Sequence, residues 1–331
     1  MSYPKGNRKF VSIIIAAKNE SSTIGKVLNA LGNQEYPKDL MEVVVADDLS
    51  TDGTAEVAEQ YRHLFSSFKI VSTIGKELPG KKGALSTGIS HAQGDFLLIT
   101  DADCEPEPGW VQSLVDGLSS GAGIVFGIAP LKSGTTLASK LSAYENLRGM
   151  MLATACAIAN APYTAAARSM GFTRETYASV HGYSNTIETL SGDDDLLIRE
   201  AVKHHIPVIP VQGNGSLVYS DTKSTFREYL FQRARHTSTS IHYLYRHMVM
   251  LGYWHGINLL PLLLVLLTPL NFFFCIPLLC KFGFDITGVL LNEKAFGHRF
   301  TMTQRAIYPF LYEGLLLLHF IQSFRSKQRW K

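Results

Sequence analysis

The 331-residue sequence predicts an α/β fold with a mostly parallel sheet, followed by C-terminal membrane helices, and two observations carry that reading. The first hundred residues alternate short β-branched runs with amphipathic helical stretches, the pattern of a parallel sheet covered by helices. Between residues 256 and 280 no Asp, Glu, Lys or Arg occurs, a length that suits a bilayer core.

Taken in order, residues 11–17 read as a buried strand and 21–31 as a helix opened by Ser21, Ser22 and Thr23. Residues 42–46 form a second strand that ends on Asp47-Asp48, and a helix follows over 51–61. Residues 69–72 are a third strand, and 82–92 a helix with Gly94 just beyond it as a stop signal. Residues 96–100 are the strand that delivers Asp101 and Asp103. The spacing then predicts a strand over 124–128, a long helix over 136–159, a strand over 168–172 and a helix opened by Thr173. A loop from Gly182-Tyr183 ends at Gly192-Asp193-Asp194-Asp195, and a helix follows over 196–204. Strands at 208–211 and 217–219 precede an amphipathic helix over 226–245, rich in Arg and aromatic residues.

Composition bounds the partners. The net charge of +3 gives no reason to expect nucleic acid. Cys104, Cys156, Cys275 and Cys280 show no C-x-x-C spacing, so neither a zinc site nor a disulfide framework is expected. The opening MSYPKGNRKF has no apolar core or small-residue cleavage site, so no secretory signal is expected. Residues 248–280 are too long for one untilted span, and Pro261, Pro269 and Pro277 interrupt them, which fits two short helices or a re-entrant hairpin. A further crossing is expected over 306–324, interrupted by Glu313 and His319. Arg325, Lys327, Arg329 and Lys331 follow, as in a cytoplasmic tail facing anionic membrane lipid. Three full spans would place this tail opposite the first domain, against the positive-inside tendency.

The chemistry concentrates at strand ends, where open α/β sheets bind ligands. Side chains alternate along an extended backbone, so Asp101 and Asp103 project to one side and can share a divalent cation. An oxygen-rich site of that kind suits Mg or Mn. Asp47-Asp48-Leu49-Ser50-Thr51-Asp52-Gly53-Thr54 puts two acids before a turn whose Ser, Thr and Asp can cap a helix or hydrogen-bond a nucleoside. Capping explains Ser50, Thr51 and Asp52 but not Asp47 and Asp48. Asp193-Asp194-Asp195 can likewise favour a helix dipole, which accounts for one or two of the three. His204-His205 are adjacent on a helix, point in different directions and are not read as a metal pair.

In order and spacing, Val11-Ser12-Ile13-Ile14-Ile15-Ala16-Ala17-Lys18-Asn19-Glu20, the 47–54 segment, Gly80-Lys81-Lys82-Gly83-Ala84-Leu85 and Asp101-Ala102-Asp103 resemble family 2 glycosyltransferases, inverting enzymes with the GT-A fold. The resemblance implies that Ala17, Asn19, Glu20 and Asp48 contact the nucleoside, Lys82 the diphosphate, and Asp103 the metal with Asp101 in support. Gly192-Asp193-Asp194-Asp195-Leu196 is similar to the family's acidic motif, in which one carboxylate deprotonates the acceptor hydroxyl. Alignment on the following Asp-Leu favours Asp193, and alignment on Gly-Asp-Asp favours Asp194. Gln232-Arg233-Ala234-Arg235-His236 resembles the Q-x-x-R-W motif, with His236 in place of Trp. Gln232 and Arg235 share a helix face, and Arg235 is suited to the leaving diphosphate. Ala16 stands where the family often has Pro, and Ser169 where relatives carry an amide.

The resemblance implies a GT-A domain over 1–235, with a nucleotide-binding half of about 1–103 and an acceptor-binding half of about 104–235. An interfacial and transmembrane region with the basic tail occupies 236–331. The implied activity is sugar transfer from a nucleotide-diphosphate sugar, a UDP-sugar foremost, to a lipid-linked or membrane-proximal hydroxyl in envelope glycan or glycolipid synthesis. The catalytic domain is expected on the cytoplasmic face of the inner membrane. The alternatives are a non-catalytic membrane protein that binds a nucleotide sugar, and a sugar-phosphate nucleotidyltransferase. The latter calls for a basic glycine-rich loop after the first strand, and Ala16-Ala17-Lys18-Asn19-Glu20 is not one.

Overall fold

The computed structural model describes residues 9–323. The basic tail at Arg325, Lys327, Arg329 and Lys331, and most of the N-terminal segment read for a signal, lie outside them. The described chain forms two compact units, residues 9–131 with 152–221 and residues 132–151 with 222–323.

The first unit is built on strand β1 (Val11–Ala17), buried along its whole length. Such a strand needs apolar residues on both faces, and Ile13, Ile14 and Ile15 supply them. Helix α1 (Ile24–Gly32) buries Ile24, Val27, Leu28 and Leu31, one stripe at helical spacing. β2 (Met41–Asp47) pairs parallel with β1, helix α2 (Thr54–Glu59) follows, and β3 (Ser67–Ser72) extends the sheet from β2. Helix α3 (Gly80–His91) then leads to β4 (Phe96–Asp101), which lies parallel to β1 on its other side.

Below these strands, Ser12 Oγ donates to Glu42 Oε1 at 2.5 Å and Lys69 Nζ to Glu42 Oε2 at 2.9 Å. A buried carboxylate is tolerated there because it is paired and hydrogen-bonded. The outcome is a lowered Glu42 pKa: burial pushes it up, and Ser12, Gln93 and Lys69 together outweigh that.

Three elements that the sequence reading did not identify come next. They are β5 (Cys104–Pro106), helix α4 (Trp110–Ser119) and, after β6 (Ile124–Phe126), the two-residue β7 (Leu131–Lys132). Helix α5 (Leu137–Ile158) precedes β8 (Met170–Thr173), helix α6 (Arg174–Ser179), helix α7 (Asp195–Lys203), β9 (Val208–Pro210) and β10 (Val218–Asp221). The large sheet has the order β3-β2-β1-β4-β8-β6-β9, with β8 antiparallel to both neighbours. A small sheet of order β5-β10-β7 completes the strands.

The second unit contains helices α8 (Phe226–Thr237), α9 (Tyr245–Leu264), α10 (Ile276–Asn292) and α11 (Met302–Ser323). Thr225 caps α8 through Glu228 N, and its hydroxyl donates to Glu228 Oε2 at 2.8 Å. The helix expected over 226–245 ends at Thr237 and tightens into a 3-10 turn, Ser238–His242. Ser238 and Ser240 explain the break, because their hydroxyls take the carbonyls of Arg235 and Thr237 at 2.7 Å.

The segments Tyr245–Leu267 and Phe272–Asn292 are long and apolar enough to cross a membrane. A short turn joins them, where Asn271 Oδ1 accepts from Phe273 N at 3.0 Å, which is the helical pair expected from the prolines.

Gly83 shows how tightly the first unit is closed around α3. A Cβ there would lie 1.8 Å from the carbonyl oxygen of Leu78, a backbone atom without room to yield. Gly83→Ala is therefore expected to lower stability by about 1–3 kcal/mol, visible as a fall in Tm by differential scanning fluorimetry.

Candidate active site

Strands β1, β2 and β4 run parallel as neighbours, so their C-terminal ends share one edge of the sheet. Ala17, Asp47 and Asp101 close the three strands. Ala17 is fully buried, and its carbonyl accepts from Asp48 N at 2.7 Å.

The loops beyond β1 and β2 are stitched together. Asn19 N donates to Ser50 Oγ at 2.9 Å, and Thr51 N donates to Asn19 Oδ1 at 2.9 Å. Glu20 N donates to Thr54 Oγ1 at 2.8 Å and Ser21 N to Asp52 Oδ2 at 2.9 Å, while Glu20 Oε2 accepts from Thr23 Oγ1. The Ser, Thr and Asp of the 50–54 turn thus join one loop to the other as well as opening α2. The hydrogen bond from the Thr54 side chain, reinforced by Ser21, lowers the Asp52 pKa to about 2.

Asn19 and Leu49 both adopt left-handed backbone, with φ of 54° and 57°. Asn tolerates that region, whereas Leu pays about 1–2 kcal/mol for it. The Leu49 side chain is 54% exposed, so no burial offsets the strain.

Asp48 is only 1% exposed. Its carboxylate accepts from Thr73 Oγ1 at 2.6 Å and from Lys76, and Lys18 Nζ lies 3.5 Å away. Two cations and a hydroxyl make this buried acid tenable.

The ligand atoms of Asp101, Asp103 and Cys104 lie within 4.8 Å of one another. Two carboxylates on alternate positions match a hard divalent cation. The donor set therefore fits Mg or Mn better than a softer metal, which would need more than the single thiol.

Lys81 links this pair to the acidic run more than ninety residues away. Its Nζ lies 2.7 Å from Asp101 Oδ1 and 2.5 Å from Asp193 Oδ2. Burial alone would pull the Lys81 pKa down, but Asp101 and Asp193 outweigh it and the net shift is upward. The ammonium stays charged, and two carboxylates that would repel each other are held together.

Asp194 is the N-cap of α7. Both its oxygens are occupied by backbone donors, Oδ1 by Asp195 N at 2.8 Å and Oδ2 by Ala167 N at 3.1 Å. Burial and the charge of Asp193 raise its pKa. Asp195 accepts from the Thr164 hydroxyl.

Lys82 is the residue that the resemblance puts at the diphosphate. It is 2% exposed and turns inward, donating to the carbonyl of Thr186 and to that of Thr189 at 3.0 Å. Adjacent helix residues point about 100° apart, and it is Lys81 that bridges Asp101 and Asp193 while Lys82 reaches the two carbonyls. Gln232 and Arg235 belong to α8 of the second unit, where Arg235 Nη2 is 3.3 Å from His236 Nε2.

The sequence reading did not single out Lys81, Thr73, Lys76 or Thr164. The one available signal was the paired Lys81-Lys82 after Gly80.

Residues 12–174 match the profile of Glycosyl transferase family 2. The chain carries a family 2 glycosyltransferase domain. The family 2 domain is similar to "Glycosyltransferase AglE" of Haloferax volcanii, 36% identical over 142 residues, which cover 42% of this chain and 46% of that protein. It is also similar to "Beta-monoglucosyldiacylglycerol synthase" of a Synechocystis strain, 39% identical over 93 residues, 28% of this chain and 19% of that protein. The chain thus spans under half the length of these curated relatives. The solved structure of a mannosyltransferase from Pyrobaculum calidifontis, in complex with GDP-Man and Mn2+, shares the fold. Its TM-score is 0.63 at 18% identity, covering 99% of this chain and 90% of the other.

Lys81→Met leaves Asp101 and Asp193 facing each other without their shared cation, and is expected to cost about 2 kcal/mol. Added Mn2+ should recover part of the lost Tm in this variant and change the parent less, because a divalent ion can replace the missing charge. Fluorimetric melting with and without the ion checks both.

Proposed function

We propose that this protein is an inverting glycosyltransferase. It moves a sugar from a nucleotide-diphosphate sugar, a UDP-sugar foremost, to a hydroxyl of a lipid-linked or membrane-proximal acceptor. The observation that carries the reading is the Asp101-Lys81-Asp193 chain, which sets a metal-binding carboxylate pair beside a third carboxylate at the ligand-binding edge of the sheet.

Mg or Mn held by Asp103 with Asp101 would neutralise charge on the donor diphosphate. Ala17, Asn19, Glu20 and Asp48 line the loops that take the nucleoside. Asp193 is the general base: it accepts the acceptor's proton as that oxygen attacks the anomeric carbon, and the nucleotide diphosphate leaves from the opposite face. Asp194 is the alternative base; its two oxygens accept the backbone N–H groups of Asp195 and Ala167. Lys81 holds Asp193 in place. Lys82 fixes the segment around Thr186 and Thr189, and so the approach to the acidic run. Arg235 would supply a permanent positive charge for the leaving diphosphate, with the neutral Gln232 amide on the same helix face as a donor-binding group.

The GT-A domain occupies residues 1–235 in this reading, on the cytoplasmic face, with 236–331 as the membrane-associated region. The length and composition of the two apolar helices support membrane attachment. The name of the Synechocystis relative, a glycolipid synthase, supports a lipid-linked acceptor and a place in envelope glycan or glycolipid synthesis.

The test is release of nucleoside diphosphate from a panel of UDP-, GDP- and dTDP-sugars by the full chain with Mg or Mn. Release is expected with one nucleotide class and should stop on chelation by EDTA. Asp193→Asn should lower kcat by about 10²–10⁴-fold with little change in donor KM. Unimpaired transfer by an Asp103→Ala, Asp193→Ala, Asp194→Ala triple variant would overturn the reading.

A further inference from the structure

Helix α11 is turned inside out relative to an ordinary surface helix. Tyr308, Tyr312, Glu313 and His319 are buried. His319 Nε2 lies 3.2 Å from the Tyr229 hydroxyl of α8 and 3.6 Å from Glu145 of α5, and Tyr229 also donates to Glu145. Glu313 Oε1 lies 3.1 Å from Lys281 Nζ of α10, which in turn pairs with Asp285 at 2.5 Å. The polar residues that interrupt the apolar stretch are thus taken up by partners within the same unit.

The outward face is apolar. Ile307, Phe310, Leu311, Leu317, Leu318 and Ile321 are between 40% and 55% exposed, and their spacing places them in one stripe along the helix. An apolar stripe of this length on a protein surface marks an interaction face.

Charge at the two ends of the helix decides the partner. Lys294 and Arg299 precede α11, and Arg325, Lys327, Arg329 and Lys331 follow it. No Asp or Glu lies between 294 and 331 except the buried Glu313. With 22 residues the helix is about 33 Å long, enough to cross a bilayer core. Crossing would put the two basic groups on opposite membrane faces, whereas lying flat keeps both against one anionic surface. Leu263 and Leu266 of the first apolar segment and Leu279 and Phe284 of α10 are likewise exposed.

We propose that α11 does not span the membrane but lies in its plane, with the Ile307–Ile321 stripe in the acyl boundary and both ends among anionic headgroups. The crossing segments are then Tyr245–Leu267 and Phe272–Asn292 alone, and this replaces the third span expected from the sequence. The inference rests on the membrane attachment proposed above.

Two measurements on the full chain test it. Cysteines are added one at a time, as Ala295→Cys and as a residue appended after Lys331, and exposed to a membrane-impermeant maleimide in sealed vesicles of either orientation. Labelling above that of the parent, which has four cysteines of its own, is expected for both positions from the same side. Labelling from opposite sides would overturn the proposal and leave membrane attachment intact. In the second measurement, Leu318→Cys carries a polarity-sensitive fluorophore in vesicles of phosphatidylcholine with phosphatidylglycerol. A blue shift relative to detergent-free buffer-exposed label is expected, and a water-like spectrum would overturn the proposal. Recovery of the parent chain free of membrane would instead overturn the attachment itself.

Discussion

The geometry of the first unit depends on keeping several carboxylates close together at one edge of a sheet. Asp101, Asp103, Asp193 and Asp194 would drive one another apart unless their charges were matched. Lys81 matches two of them, and the backbone N–H groups of Asp195, at the start of α7, and of Ala167 hold the oxygens of Asp194. Asp103 lies beside Asp101 and Cys104, with the three ligand atoms within 4.8 Å of one another.

The same logic of matched charge recurs away from that edge. Asp48 is surrounded by Thr73, Lys76 and Lys18, and Glu42 by Ser12 and Lys69. Each acid sits on β2 or just past its end and ties neighbouring strands or loops to one another. These ties fix the loops beyond β1 and β2, and with them Asn19 and the strained Leu49, so that this edge of the sheet is held in one shape. In the second unit Glu145 gathers Tyr229, Arg233 and His319, and Lys281 gathers Asp285 and Glu313. Helices that present apolar residues outward stay together because their polar residues pair inward.

Much of the site was readable because its logic is local. A two-residue alternation along an extended strand puts Asp101 and Asp103 on one side, and the cap-forming 50–54 turn follows from side-chain chemistry at a helix start. Other features resisted. The short strands β5 and β7 carry too few residues for a periodic signal, and α4 begins in a Pro- and Gly-rich segment that reads as loop. The helix expected to run through 245 stops at Thr237, because a Thr-Ser-Thr-Ser run gives the backbone other hydrogen-bond partners.

The sequence by itself determined the strand and helix alternation, the acidic residues at strand ends and the family 2 resemblance, since each is encoded by neighbours within a few positions. Tertiary structure decided which of two adjacent lysines bridges Asp101 and Asp193, and which of two adjacent aspartates is tied to two backbone N–H groups. It also decided that Glu313 and His319 point inward. The reason is physical: Lys81 meets Asp193 across 112 positions and His319 meets Tyr229 across 90, and no local pattern specifies the rotation of a helix against a partner so distant in the chain.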